Sequence, residues 1–198
     1  MESIAISGTI RQALGKKGTK AVRNNAHVPC VIYGGENNIH FSAHKNDFRG
    51  IVYTPDFKLI KVELDGKTYT CVVKAIQWHP VTDEISHIDF LELTEGKKLK
   101  LEIPVRFKGA APGVKEGGKM VQKMRRVKVK VAPASLVDAM YVDVSSMGLG
   151  QSVRVRDIIV EGDIEIVSSP GIPVASIEIP RALRSAEAAK AAEATDEG

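Results

Sequence analysis

Between Tyr141 and Ile179 the chain reads YVDVSSM, SVRVRDIIV, IEIVSS and PVASIEI, four short runs about ten residues apart, separated by Gly, Pro and Ser. Side chains of a strand alternate between its two faces, so each run has one face to bury and one to wet. Short strands at this spacing are the mark of an all-β sandwich or barrel.

The same grammar governs the first half. IAISGTIR opens with enough alternation for a strand, and VPCVIYGG is a compact apolar run closed by two glycines. KLIKVELDGKTYTCVVKAIQW holds Asp65-Gly66, a preferred two-residue hairpin turn, between alternating arms. SHIDFLELT follows the polar loop after His79-Pro80 and closes the unit near Thr94. Two helical stretches interrupt the strands. Thr19 to Asn25 has room for a short helix with Thr19 near its start, which Pro29 forbids from continuing. Ser42 followed by AHKNDFRGIVY reads as a capped amphipathic helix with Phe48, Ile51 and Val52 facing a core.

Glu95-Gly-Lys-Lys98 reads as a linker, so the domains expected are 1–94, 95–180 and an Ala/Glu-rich frayed tail, 181–198. The second domain restarts with LKLEIPVRFKG and passes a Gly/Ala/Pro loop from Gly109 to Gly118. KMVQKMRRVKVKVAP then reads as one long strand with basic residues on one face. The fold class expected is mainly β with a few short helices, an α+β chain of two domains. Aromatic residues make up only 5% against 43% hydrophobic, which suits β cores built from valine and isoleucine.

Charge is clustered rather than large. The formal net charge is +4, yet residues 11–35 carry Arg11, Lys16, Lys17, Lys20 and Arg23 with no acid. A local excess of this kind is the footprint of a polyanionic partner, although a basic loop is also compatible with a merely solvated surface. No stretch reaches the ~18 apolar residues of a membrane helix. The N-terminus lacks a charged-then-apolar signal, which points to the cytosol and to no membrane partner. Cys30 and Cys71 sit inside apolar runs, do not make a CxxC pair, and read as reduced and buried.

Two motifs suggest enzymatic chemistry and are set aside. Gly113-x4-Gly118-Lys119 has phosphate-loop spacing, but Met120 stands where Ser or Thr must hold magnesium, and a strand rather than a helix follows. His87-x-Asp89, with His79 eight residues earlier, offers two legs of a metal site on one strand face. Further ligands are hard to name, since His27, His40 and His44 fall in loop or helix on this reading. No cofactor and no catalytic role is expected. The basic stretch and Tyr33 supply phosphate contacts and a stacking ring, and His87 and Asp89 suit base edges or 2′-hydroxyls of an RNA minor groove.

Arg11 ahead of Gly15-Lys16, the basic turn to Arg23 and VPCVIYGG at 28–35 resemble the opening of the bacterial large-subunit ribosomal protein family numbered twenty-five. His79-Pro80 followed by SHIDF at 86–90 resembles its closing strand. FKGAAPGVKEGGKM and YVDVSSMGLGQSVRVRDI resemble the extra domain of the longer, CTC or general-stress members. The resemblance implies a six-stranded N-terminal β-barrel bound to the loop E region of 5S rRNA, followed by a mostly β domain. It implies RNA contacts at Arg11, Lys16, Thr19, Lys20, Arg23, Tyr33, Gln77, His87 and Asp89. The partners implied are 5S rRNA and the large ribosomal subunit, with other ribosomal proteins and the large-subunit rRNA as neighbours open to the second domain. A free stress protein that joins ribosomes conditionally is the alternative. This chain departs from the pattern at Ala21, where relatives carry arginine, and at Trp78, where they carry a basic residue.

Overall fold

The structure, a computed structural model, describes residues 3–94, 96–160 and 162–180; the predicted tail at 181–198 lies outside them. By contact density the chain divides into two compact units, 1–102 with 130–138, and 103–129 with 139–198.

Six strands of the first unit close a barrel: β1 (Ser3–Ile10), β2 (His27–Tyr33), β3 (Ile39–His44), β4 (Leu59–Leu64), β5 (Lys67–Trp78) and β6 (Ile85–Glu92), in the order β1-β3-β2-β6-β5-β4. Closure comes from parallel pairing of β1 with β4, and β2 also runs parallel to β6. The β4–β5 hairpin turns at Asp65 (φ 47°) and Gly66 (φ 81°), both left-handed as a type I′ turn requires. The interior is filled by Ile6, Cys30, Ile32, Phe41, Ile60, Val62, Ile88 and Phe90. Phe90 sits at the centre of this packing, its ring 5.6 Å from Phe41 and 6.3 Å from Phe48. Both cysteines are buried and free. Burial pushes the Cys30 thiol up, and burial followed by the Glu92 charge pushes Cys71 to about 12, so neither is a reactive thiolate.

The helix expected after Ser42 begins later: Ser42 is buried inside β3, and a 3₁₀ turn at Lys45–Phe48 leads into the single-turn helix α2 (Arg49–Val52). (The helix α1 that precedes it spans Lys16–Asn24.) His44 is the residue that caps the turn, its Nδ1 accepting from the Asn46 amide at 3.3 Å. The alternation Ile39-His-Phe-Ser-Ala-His44 outweighs the cap signal because Phe41 and Ala43 fill the barrel from β3. Phe48 and Ile51 do face the core, and Val52 packs against it.

After the barrel come β7 (Leu99–Lys108), the short helix α3 (Pro112–Lys115), β8 (Lys119–Gln122), β9 (Arg126–Val131), β10 (Met140–Asp143), β11 (Ser152–Arg154), β12 (Ile158–Ile159), β13 (Ile164–Ile166) and β14 (Pro173–Glu178). They form a five-stranded sheet, β12-β10-β7-β9-β13, and a three-stranded sheet, β11-β14-β8. The single strand expected over 119–131 is therefore two strands in different sheets. The break falls at Lys123–Arg125, where the Lys123 and Met124 amides both donate to the Val174 carbonyl and turn the chain aside. Lys119 opens β8, a strand, where a phosphate loop needs a helix.

Candidate nucleic-acid interface

Because Val28, Cys30 and Ile32 of β2, Phe41 and Ala43 of β3, and Ile88 and Phe90 of β6 fill the interior, their alternates face outward. Register then aligns them into rows. Val31 lies opposite His40 on one side and Asp89 on the other, and Asp89 lies opposite Ala75. Gln77 lies opposite His87. The Arg11 amide donates to the His40 carbonyl at 2.8 Å, which sets Arg11 at the β1 end of the first row. Five residues predicted from distant parts of the sequence (Arg11, Tyr33, Gln77, His87 and Asp89) thus belong to one outer arc, with the small side chains of Val31 and Ala75 between them.

Helix α1 supplies the remaining four, Lys16, Thr19, Lys20 and Arg23. At 100° per residue these point within about one quadrant of the helix. The helix starts at Lys16, behind Gly15 at φ 96°, so Thr19 lies one turn inside it rather than at its cap. The Thr19 hydroxyl donates back to the Gly15 and Lys16 carbonyls at 3.0 and 3.1 Å and is largely spent within the helix. Arg23 has a second duty. A register shift on β6 leaves the Ser86 carbonyl out of the ladder, and the Arg23 Nε and Nη2 both donate to it, at 3.1 and 2.9 Å. That fork holds the cationic face of α1 against the outer arc. None of Arg11, Lys16, Lys20 or Arg23 is paired with a carboxylate among the described residues. Like charges four residues apart disfavour a helix by a few tenths of a kcal/mol, roughly, so the Lys16–Lys20 pair adds nothing to the stability of α1.

Asp89 Oδ1 lies 2.7 Å from His87 Nδ1, and both side chains are about a quarter exposed. The approach is off the ring N–H axis, so the close contact is not an aligned hydrogen bond. Burial, and then the Asp89 charge, raise the Tyr33 hydroxyl above its ordinary value, which keeps it a neutral donor. Arg11 Nη2 donates to the Ala13 carbonyl at 3.2 Å, while its Nε is buried without a partner.

The metal alternative loses His79, whose Nδ1 accepts from the Val81 and Thr82 amides at 3.4 and 3.3 Å and so staples its own loop. His27, His40 and His44 are not in loop or helix: all three lie on strands, on the outer arc. His40 is the residue of this face that sequence reading missed. The signal lies in the alternation of residues 39–44, with which the helix-start pattern Ser-Ala-His-Lys-Asn competes.

The first unit is thus a closed β-barrel filled with side chains, carrying on its outside a helix whose cations have no carboxylate partner among the described residues. Residues 6–90 match the model of the Ribosomal L25p family, and residues 98–181 match that of the ribosomal protein TL5 C-terminal domain. Proteins named large ribosomal subunit protein bL25 are 43% identical in Cytophaga hutchinsonii (96% of this chain, 99% of that protein) and 40% in Phocaeicola vulgatus (95% and 98%). Another in Amoebophilus asiaticus is 41% identical, over 100% and 98%. The chain belongs to the bL25 family of bacterial large-subunit ribosomal proteins, in its long form, and is a ribosomal protein rather than an enzyme.

Proposed function

We propose that this structural protein of the large ribosomal subunit binds 5S rRNA, at its loop E region, through the outer arc of the barrel and helix α1. The observation that carries the reading is the unpaired cationic face of α1, held by Arg23 beside the row Arg11, His40, Val31, Asp89 and Ala75. An A-form RNA helix presents a wide, shallow minor groove edged by phosphates. Cations along a low surface match the phosphates, and Gln77, His87 and Asp89 match base edges and 2′-hydroxyls.

The test is affinity for transcribed 5S rRNA, measured for the full chain and for two fragments divided at the proposed domain boundary. Residues 1–94 are expected to fold and to keep most of the affinity. Tight binding by 95–198 with none by 1–94 would overturn the assignment.

Asp89 separates a reading role from a packing role. A carboxylate beside a phosphate backbone is repelled unless it accepts from a base amino group or a 2′-hydroxyl, or orients His87. Asp89→Ala is expected to lose about 1–3 kcal/mol of 5S rRNA binding, the range of a specific base contact. The melting temperature and the salt dependence should stay close to wild type. Unchanged binding with a lowered melting temperature would make the His87–Asp89 contact purely structural.

A further inference from the structure

At one end of the barrel, next to the face just described, lies a cleft of about 340 Å³. Its walls come from the α1–β2 junction, the 3₁₀ turn and α2, and the loop from His79 to Glu84. Arg23 and Ser86, which join α1 to the outer arc, also line it, so cleft and arc are continuous. The loop wall is built rather than loose: His79 Nδ1 takes the Val81 and Thr82 amides, and the His79 amide donates to the Glu84 carbonyl at 2.8 Å.

Arg49 and Tyr53 stand one helical turn apart at the mouth, the Tyr53 amide donating to the Arg49 carbonyl at 3.2 Å. Arg49 has no ion-pair partner among the described residues. Tyr53 is 67% exposed and its ring lies 6.2 Å from that of Trp78, itself 43% exposed. Neither ring belongs to the barrel core. Large aromatic rings left at a surface beside a free guanidinium are what an unstacked base and its phosphate require. Lys45 is partly neutralised by Glu84 at 3.6 Å, and Asp83 adds a second carboxylate. Those two acids rule out a cleft that swallows phosphates throughout, but they suit the amino group of a base or a ribose hydroxyl.

We propose that this cleft takes one extruded nucleotide of the RNA bound on the adjoining face, its base against Tyr53 of the cleft wall, with Trp78 flanking Tyr53 at the rim, and its phosphate on Arg49. The proposal rests on the RNA-binding reading above and adds a site to it. The cleft wall reaches the arc through Arg23, so a strand leaving the arc enters it without a gap.

Trp78 is the only tryptophan in the chain and its ring lies beside that of Tyr53, a residue of the cleft wall, so its emission reports on stacking at the rim of this site. The full-length protein is titrated with transcribed 5S rRNA while Trp78 fluorescence and affinity are followed. Stacking should quench Trp78 at saturation. Tyr53→Ala and Arg49→Ala, both exposed positions expected to melt like wild type, should bind roughly 5- to 100-fold more weakly and lose the quench. Arg11→Ala should weaken binding yet keep the full quench once saturated. Steady Trp78 emission at saturation, with both cleft variants binding within about twofold of wild type, overturns the cleft and leaves the outer arc standing. Normal RNA affinity with failed incorporation of Tyr53→Ala into large subunits assigns the cleft to a neighbouring protein and also overturns it. Absence of 5S rRNA binding by the wild type overturns both readings.

Discussion

Phe90→Ala should cost the barrel about 3–5 kcal/mol, the range for emptying a buried phenylalanine site. Phe90 is fully buried on β6, which is hydrogen-bonded to β2 on one side and β5 on the other, and its ring meets Phe41 from β3 and Phe48 from the 3₁₀ turn. Four elements therefore border the cavity that the substitution leaves. A closed barrel collapses poorly onto such a void, because each strand is held in register by two neighbours. For a domain of this size the loss corresponds to a fall in Tm on the order of 20 °C. Circular dichroism melting reads the change directly, with Val81→Ala as the control, since Val81 is 83% exposed and should shift stability by no more than about 0.5 kcal/mol. A Phe90→Ala protein melting near wild type would mean that the interior is not packed around this ring. The effect reaches function as well, because Asp89 precedes Phe90 and faces the opposite way, so the outer arc is only as ordered as the core beneath it.

The second large effect is electrostatic. Arg11, Lys16, Lys20 and Arg23 share the proposed interface, and each neutralised phosphate releases about 0.7–0.9 counterion, which gives a log–log slope of affinity against salt near −3. Engagement of Lys17, which points away from that quadrant of α1, would steepen the slope toward about −4. A fourfold rise in salt should then weaken 5S rRNA binding roughly 50- to 150-fold. Lys16→Ala or Lys20→Ala should flatten the slope by about one unit each. Arg23→Ala should do more than that, because it also releases α1 from the Ser86 carbonyl. A slope near zero for the wild type would remove the electrostatic basis of the interface.

Much of this architecture was legible in residues alone, because its causes are local. Asp65-Gly66 specifies a left-handed two-residue turn, and the alternating arms on either side leave one reading of their pairing. The basic cluster from Arg11 to Arg23 and the β-rich second half follow the same rule. Structure departs from the local pattern where two local signals compete. Ser42 carries a helix-cap side chain and also occupies a polar position of an alternating run; the buried neighbours Phe41 and Ala43 decided for the strand. Residues 119–131 alternate almost without interruption, yet Lys123–Arg125 leave one sheet for another, since continuing in either would forfeit the hydrogen bonds to Val174.

By itself the sequence determined the strand grammar, the hairpin turn and the clustered positive charge. Period-two alternation says which side chains share a face within one strand, but nothing in it says which strands become neighbours. Only the tertiary structure decided that Arg11, His40, Val31, Asp89 and Ala75, drawn from five strands or their ends, form one row. Register across a closed barrel is a long-range quantity, fixed by mutual packing of all six strands around Phe90 and its neighbours. Antiparallel pairing of β2 with β3 put His27, His40 and His44 onto the same outer arc.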